Sequence, residues 1–300
     1  MIRLAPARPL APGGDLRRLA AAIRLHAVRM VAPHGFGYLG QALSAAEQYA
    51  AVYGAALRPG TDRVVCSPAH YVIAAYAAAA GTGLLDETVL ATYGQDGSAL
   101  EAIGTERSPV PDYTCGSLGQ GLSAAAGFAL ADRLRGRPEV RTFAFLSDGE
   151  LEEGQVWEAA MFAAHYRLDR LTVLLDANNS QVDGPVDTIT TIEPVAAKWR
   201  AFGWDAVELD GHDVDAVAAA LADTTDGTGG TDGAGGTDGT GGAGTTADHA
   251  RPRILVCRTS TRHGLACLPP DADGHFIKLP AGLAAAAEAE LSAELDRYDG

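Results

Sequence analysis

The chain alternates between two kinds of hydrophobic pattern along most of its length. Short apolar runs predict buried strands, and longer stretches with apolar residues at helical spacing predict helices. The predicted strands lie at 63–67, 140–146, 171–175, 204–210 and 254–260. The predicted helices lie at 16–32, 43–57, 70–83, 122–136, 154–168, 193–203, 213–223 and 283–300. Strands that alternate with helices favour an α/β fold, a parallel sheet with helices on both faces.

Two segments depart from this pattern. Residues 1–14 are rich in Pro and Gly and predict an irregular arm ahead of a helix that Asp15 can cap. Residues 224–250 are mainly Gly, Thr and Asp. Such residues bury almost no apolar surface, so this segment predicts a flexible insertion between a helix and a strand. We therefore expect one domain over residues 15–300 that contains this insertion.

Composition and charge exclude some classes of function. The formal net charge of −15 argues against binding nucleic acid through its phosphates. No apolar run reaches the length of a membrane span, and the first 14 residues lack the apolar core of a signal peptide, so neither feature is expected. The four cysteines lack C-x-x-C spacing, which is typical of buried thiols in a reducing cytoplasm. The sequence thus predicts a cytoplasmic protein whose ligands are small molecules.

Polar turns follow two of the predicted strands. Asp148 comes directly after 140–146, and Asn178 and Asn179 come after 171–175. With the helix between them, these segments form one βαβ unit, whose two loops emerge at the same edge of a parallel sheet. Carboxylate, amide and backbone carbonyl oxygens at that edge suit Mg²⁺ that holds a diphosphate better than a transition metal. Capping of a helix and a strand end is the alternative role for each residue alone.

The pair of turns resembles the thiamine diphosphate motif, GDG followed further along the chain by NN, with Ser147 in place of the first Gly. Three further segments narrow the resemblance to the transketolase family: GSLGQG at 116–121, SPAH at 67–70 and His34-Gly35, which is similar to the family's G-H-P-G. These segments stand in the family's order, and the resemblance as a whole runs from about residue 16 to residue 280. The resemblance implies the thiamine diphosphate-binding fold and, because a full-length transketolase is about twice as long, the N-terminal subunit of a split enzyme.

The resemblance also implies which residues hold the cofactor. Asp148 and Asn178 would give side-chain oxygens to Mg²⁺, and Ser180 would give its backbone carbonyl. The other residues expected to contact thiamine diphosphate are His70, Gly116, Ser117, Leu118, Gly149 and Glu150.

Histidines and one glutamate complete the expected site. His34 matches a family histidine of the substrate cleft, and His70 matches one near the diphosphate. His275 matches a histidine that faces the cofactor and the substrate, with His263 a rival for this role. Any one histidine alone is more often structural. Glu153 matches a glutamate at the family's subunit contact. Glu150 and Glu152 are also expected as acidic charge in the first turn of a helix.

One departure concerns the segment at 99–115. The family has a histidine there that contacts the donor sugar, whereas this chain has no histidine between His70 and His165. Glu106, Arg107 and Asp112 are candidates to line the altered cleft. The identity of the donor therefore stays open.

The function implied is transfer of a two-carbon ketol unit from a ketose or ketose phosphate to an aldehyde. The activating glutamate of the family belongs to a pyrimidine-binding domain that we do not find here. We therefore expect a partner, the C-terminal half of transketolase, in an α2β2 assembly. Two alternatives stay open: a subunit that passes a two-carbon unit to a lipoyl or acyl carrier, as in 2-oxo acid dehydrogenases, and a scaffold without activity.

Overall fold

The computed structural model describes residues 14–222 and 251–299. The expectations for the arm at 1–13 and the insertion at 224–250 lie outside the described residues. No helix in the described ranges is both long and apolar enough to cross a membrane. All four cysteines are free thiols.

The fold is organised by a parallel sheet and a short antiparallel ribbon. The strands, in chain order, are β1 (Phe36–Gly37), β2 (Arg63–Pro68), β3 (Tyr113–Cys115), β4 (Thr142–Ser147), β5 (Leu171–Ala177), β6 (Asp205–Asp210), β7 (Arg253–Arg258) and β8 (Ile277–Lys278). Six of them pair in parallel in the order β3-β2-β4-β5-β7-β6, and β1 pairs with β8. The order is that of a doubly wound sheet.

Helices cover both faces of this sheet. They are α1 (Gly14–Val31), α2 (Leu39–Ala51), α3 (Val72–Gly81), α4 (Gly121–Leu134), α5 (Gly154–His165), α6 (Val186–Ile189), α7 (Val195–Ala201), α8 (Val214–Ala222) and α9 (Ala281–Asp299). A π-helical turn, Val52–Ala56, extends α2, and 3₁₀ turns lie at Ala32–His34, Ala69–Tyr71, Glu87–Thr92 and Asp148–Glu152.

Alternate residues of each strand face two separate cores. On β4, Phe143 and Phe145 point into the core formed with α1, α2, α3, α8 and α9. Ala144 and Leu146 point into the core formed with α4, α5 and α7. Because both faces are buried, the strands read as continuous apolar runs rather than as alternating patterns. The predicted α/β fold with helices on both faces is confirmed.

The differences from the predicted elements have physical causes. Helix α2 begins at Leu39, earlier than predicted, and all of its residues are buried, so no polar face marks where it begins. Residues 113–115, which are not among the predicted strands, form β3, which is too short to show a pattern. The ribbon of β1 and β8 is also absent from the prediction, since each strand has two residues.

The GSLGQG segment is held tightly against the end of β2. The Gly121 amide donates to Ser67 Oγ at 3.1 Å. A Cβ at Gly121 would lie 2.3 Å from Ser67 Oγ and 2.5 Å from Ser67 Cα. Only glycine permits this approach, which sets where α4 begins relative to the sheet.

Replacement of Gly121 by Ala should therefore lower the free energy of unfolding by about 2 kcal/mol or more, because β2 or α4 must shift. Gly127→Ala is the matched control in the same helix. A Cβ there meets nothing within 4 Å, so this variant should gain about 0.5–1 kcal/mol from helix propensity. Urea unfolding of both variants tests the contrast, and equal effects would contradict the close contact.

Candidate active site

Four loops meet at the carboxyl edge of the sheet. They follow β2, β4, β5 and β7, the four central strands. Open α/β sheets bind ligands at this edge because the loops and helix N-termini converge there. The residues singled out in the sequence at 67–70, 116–121, 147–150 and 178–180 all lie in or directly beside these loops.

Asp148 joins the two loops of the βαβ unit. It is buried, at 2% exposure, and its Oδ2 accepts a hydrogen bond from the Asn179 amide at 2.6 Å. Its Oδ1 accepts from the Gly149 amide at 2.9 Å. Asn179 has a φ of 56°, a left-handed conformation that Asn tolerates better than most residues. Burial, and then the negative charge of Asp176, raise the pKa of Asp148 to about 7.

Asp176 is the centre of a buried hydrogen-bond network that the sequence did not single out. Burial raises the pKa of its carboxyl group. The side chains that donate to it are those of Ser44, Gln48, Tyr71, Asn178 and Thr259. A lone Asp inside the apolar run of β5 is the signal that could have identified it, because carboxylates are seldom fully buried.

This network sets the orientation of Asn178. Its Nδ2 donates to Asp176 Oδ2 at 2.7 Å, so its Oδ1 lies on the opposite side and accepts from the Ser180 amide at 2.9 Å. The amide oxygen of Asn178 and the carboxylate of Asp148 thus belong to two adjacent loops.

The donor set fits a hard divalent cation. Asp148 and Asp176 are both buried, and among the described residues neither forms an ion pair with Arg, Lys or His. Buried negative charge without a positive partner is costly unless it is neutralised by protonation or by a cation. Carboxylate and amide oxygens are the ligands that such cations prefer.

Glu150 has a structural role that differs from an exposed charge at a helix start. It is fully buried, and burial raises its pKa to about 7 against the effect of its hydrogen bonds. Its carboxylate accepts from Ser67 Oγ at 2.6 Å and from the amides of Gly119 at 2.8 Å and Ser147 at 3.2 Å. Glu150 thus connects the GSLGQG loop to the ends of β2 and β4.

The neighbouring residues are open to a ligand or a partner. Gly116, Ser117 and Leu118 are exposed, and a Cβ at Gly116 would meet nothing within 4 Å. Glu153 is also exposed, and its Cβ would lie 2.8 Å from a Cβ at Gly119. The loop therefore presents backbone groups at the carboxyl edge, next to an exposed acid.

His70 and His275 come together although they are far apart in sequence. Their ring centroids lie 5.0 Å apart. Burial, and then His275, lower the pKa of His70 to about 3, and burial also lowers the pKa of His275. Both rings are therefore neutral near pH 7, so each offers one N–H donor and one acceptor.

Gln41 determines the tautomer of His275. Its Nε2 donates to the His275 carbonyl oxygen at 3.0 Å and lies 3.1 Å from His275 Nδ1. A carbonyl oxygen can only accept, which identifies this atom of Gln41 as the amide nitrogen. It therefore also donates to Nδ1, and the proton of His275 is on Nε2.

The loop that carries His275 is fixed by a close backbone contact. A Cβ at Gly40, at the start of α2, would lie 1.9 Å from the carbonyl oxygen of Gly274. Only glycine at position 40 leaves room for this loop.

Tyr38 lies beside both histidines, although it is absent from the expected site residues. Its ring centroid is 5.0 Å from that of His70 and 5.7 Å from that of His275. The signal was present in the Gly-Tyr-Leu-Gly segment at 37–40, which has the glycine spacing of G-H-P-G with Tyr in the position of His.

The other predicted histidines have different neighbours. His34 Nε2 lies 2.8 Å from the carbonyl oxygen of Tyr93. His263 stacks on His212 with centroids 3.6 Å apart, and the pair lies beside Glu47. The structure thus brings His275, rather than His263, to His70.

The segment at 99–115 forms part of the rim. The Gly104 amide donates to the carbonyl oxygen of Ala69 at 2.9 Å, which places this loop next to His70. Arg107 pairs with Glu101, whereas Asp112 bonds to Arg63 and Val64 at the start of β2, at the opposite edge from the site. Asp112 is therefore a structural residue, and Arg107 is neutralised at the rim.

The fold and the site define the class: an α/β domain of doubly wound topology whose carboxyl edge combines buried carboxylates, an amide and a neutral histidine pair. Residues 16–229 match the family model described as transketolase, thiamine diphosphate binding domain. The chain belongs to the transketolase family.

Its relatives include separate subunits as well as full-length enzymes. It is 36% identical over 276 residues to the transketolase family protein y4mO of Sinorhizobium fredii, covering 88% of this chain and 91% of that protein. It is 39% identical over 216 residues to the 6-deoxy-6-sulfo-D-fructose transketolase subunit SqwG of Clostridium sp., covering 69% of this chain and 78% of that protein.

Solved structures share the fold. Transketolase from Campylobacter jejuni superposes with a TM-score of 0.75 at 21% identity, over 96% of this chain and 46% of that enzyme. Transketolase from Leishmania mexicana gives a TM-score of 0.74 over 97% of this chain and 45% of that enzyme. The chain thus spans a little under half of the solved transketolases that it matches.

The raised pKa of Asp148 predicts how the stability of the ligand-free chain depends on pH. Between the usual carboxyl pKa of 3.8 and about 7, the folded chain keeps a proton that the unfolded chain loses. This contribution to stability is complete below pH 3.8 and is lost as the pH rises through about 7. The side chain in Asp148→Asn cannot lose a proton. Between pH 5 and pH 8 the free energy of unfolding of this variant should therefore fall by about 1–3 kcal/mol less than that of the wild type.

Urea unfolding in a chelator at the two pH values measures this difference. Each variant is compared with itself at the two pH values, because the amide N–H of the Asn side chain would also lie opposite a backbone N–H donor. This contact lowers the free energy of unfolding at both pH values and cancels in the comparison. Asp169→Asn, an exposed control, should behave as wild type. An unchanged pH dependence in Asp148→Asn would show that the Asp148 carboxylate is not destabilised by burial.

Proposed function

We propose that this chain is the diphosphate-binding subunit of a two-chain transketolase, which moves a two-carbon ketol unit from a ketose or ketose phosphate to an aldehyde. The observation that carries the proposal is that the Asp148–Asn178 turns and the His70–His275 pair lie at one sheet edge. The family match supports thiamine diphosphate as the cofactor. Relatives named as transketolase subunits support a two-chain enzyme, among them an apulose-4-phosphate transketolase subunit of Phocaeicola vulgatus, 34% identical over 156 residues.

Mg²⁺ would be held by Asp148, Asn178 and the backbone carbonyl of Ser180. The support is the pair of buried carboxylates without a cationic partner among the described residues and the oxygen-only donor set. A divalent cation there would bind the diphosphate and also stabilise the ionised form of Asp148.

When bound, thiamine diphosphate supplies the carbon nucleophile and the electron sink for ketol transfer. The protein contributes position and proton placement. Backbone groups at 116–118 are exposed where they can contact the cofactor. His70, neutral near pH 7, can donate to or accept from a hydroxyl group of a sugar. His275, also neutral, can donate from Nε2, because its Nδ1 accepts from Gln41.

The second function, transfer of the unit to a lipoyl or acyl carrier, is not favoured, because the matched family and the named subunits are transketolases. A scaffold without activity is opposed by the complete set of Asp148, Asn178, His70 and His275. We propose that the partner is a C-terminal-half subunit, that the assembly is α2β2 and that the location is cytoplasmic, the last on the basis of four free thiols.

Asp148→Ala should lower the affinity of the assembled enzyme for thiamine diphosphate with Mg²⁺ by a factor of about 100 or more, roughly 3 kcal/mol, because a charged ligand is lost. Calorimetric titration measures it, with Asp169→Ala as a control that removes an equal charge far from the site. Near-unchanged affinity would exclude Asp148 from the metal ligands.

The chain alone should show no ketol transfer, and addition of a transketolase C-terminal-half subunit should restore it, with Mg²⁺ and thiamine diphosphate both required. Glu153→Ala should weaken assembly more than it weakens Mg²⁺ binding, whereas Glu158→Ala, an exposed control on α5, should do neither. Steady-state turnover and sedimentation measure these effects. Robust turnover by the chain without a partner would refute the two-chain proposal.

A further inference from the structure

The ribbon of β1 and β8 has one buried face and one exposed face. Phe36 pairs with Lys278 and Gly37 pairs with Ile277 in antiparallel register. Directly opposed residues point to the same side of such a pair. Gly37 and Ile277 are buried, whereas Phe36 is 53% exposed and Lys278 is exposed. Phe36 and Lys278 therefore share the outer face.

Two more aromatic rings connect this outer face to the histidine pair. Phe276 lies 5.4 Å from Phe36 and 5.0 Å from Tyr38, measured between ring centroids. Tyr38 in turn lies 5.0 Å from His70. We call Phe36, Tyr38, Phe276 and Lys278 the ribbon face. It forms a continuous surface from the histidine pair to the exposed side of the ribbon.

Lys278 is an exposed cation on the ribbon face. It is one of two lysines in the chain. The Nζ of the other, Lys198, donates to the Ile192 carbonyl oxygen at 2.7 Å, whereas the ammonium group of Lys278 forms no hydrogen bond or ion pair with the described residues. Arg107 at the rim is paired with Glu101. In a chain of net charge −15, an unpaired cation beside the site is the group most suited to attract an anion.

The spacing matches a sugar. Residues two positions apart along a strand lie about 6.6 Å from each other. This is the approximate spacing between Phe36 and Tyr38, and between Lys278 and Phe276. Together with the 5.0 Å between Tyr38 and His70, this length is comparable to an extended pentose or hexose with a terminal anion. Aromatic faces accept the apolar C–H side of such a chain.

We propose that the ribbon face is a substrate subsite, in which the rings take the C–H side of the sugar and Lys278 pairs with a terminal anionic group. Phosphate, sulfonate and carboxylate share the required charge and oxygen acceptors. The inference rests on the proposed ketol transfer and adds that Lys278 of this chain recognises the anionic end of the substrate, in addition to any group of the partner.

Kinetics of the assembled enzyme test the subsite. A ketose phosphate, the corresponding sulfonate and the uncharged ketose are compared as donors, with the same acceptor. Lys278→Met keeps the apolar stem and should lower kcat/KM for one of the anionic donors by about 10-fold to 50-fold, mainly through KM. It should change kcat/KM for the uncharged ketose by less than about 2-fold. Which anionic donor responds identifies the terminal group.

Two further variants separate recognition from structure. Lys278→Arg keeps the charge and should retain kcat/KM for the anionic donor within about 3-fold of wild type. Arg297→Met, which removes an exposed cation on α9, should have no effect on any donor. Phe36→Ala should raise KM for charged and uncharged donors alike by about 3-fold to 10-fold.

Several results would overturn the subsite. Equal losses for charged and uncharged donors, accompanied by weaker assembly in sedimentation, would mean that Lys278 contacts the partner subunit instead. An unchanged kcat/KM in Lys278→Met would mean that the anion is bound elsewhere. This result would refute the subsite and leave the proposed ketol transfer unaffected. Absence of ketol transfer in the wild-type assembly with every donor would refute the proposed function, and the subsite with it.

Discussion

The site depends on the burial of negative charge at the carboxyl edge of the sheet. Asp148 and Asp176 are both enclosed, and each raises the cost of ionising the other. Hydrogen bonds from Ser44, Tyr71 and Asn178 lower this cost for Asp176, whereas Asp148 receives two backbone amides. The loops are therefore already arranged around a position where a cation would be favourable. The arrangement of these loops and the cost of the buried negative charge thus have the same cause.

The titratable residues around this buried charge are a glutamate with a structural role and two neutral histidines. Glu150 is buried where it connects three loops, and the hydrogen bonds that it accepts from Ser67 and Gly119 hold the GSLGQG loop in place. His70 and His275 are kept neutral by burial, so they do not add positive charge that would compete with a cation. The same burial that stabilises the fold thus determines the protonation states that the site uses.

Several residues around the site are exposed, although the sheet itself is well covered. Helices cover both faces of the sheet. Yet Gly116, Leu118, Glu153 and Phe36 remain exposed around the site. A cofactor held at this edge would be open on one side, which is consistent with a second polypeptide that completes the enclosure.

Local pattern alone was enough to predict the class of fold, most strands and helices, and the two polar turns. These features depend on residues close together in sequence: apolar runs such as 171–175 bury both faces of a strand, and Asp148 and Asn178 follow strand ends directly. The burial of Glu150, the network around Asp176, the position of Tyr38 beside His70 and the ribbon face depended on tertiary contacts. Ser44 and Asp176 are separated by 132 positions in sequence, and Ser67 and Glu150 by 83. No local period records such contacts, because they exist only once helices and strands from distant parts of the chain have packed together.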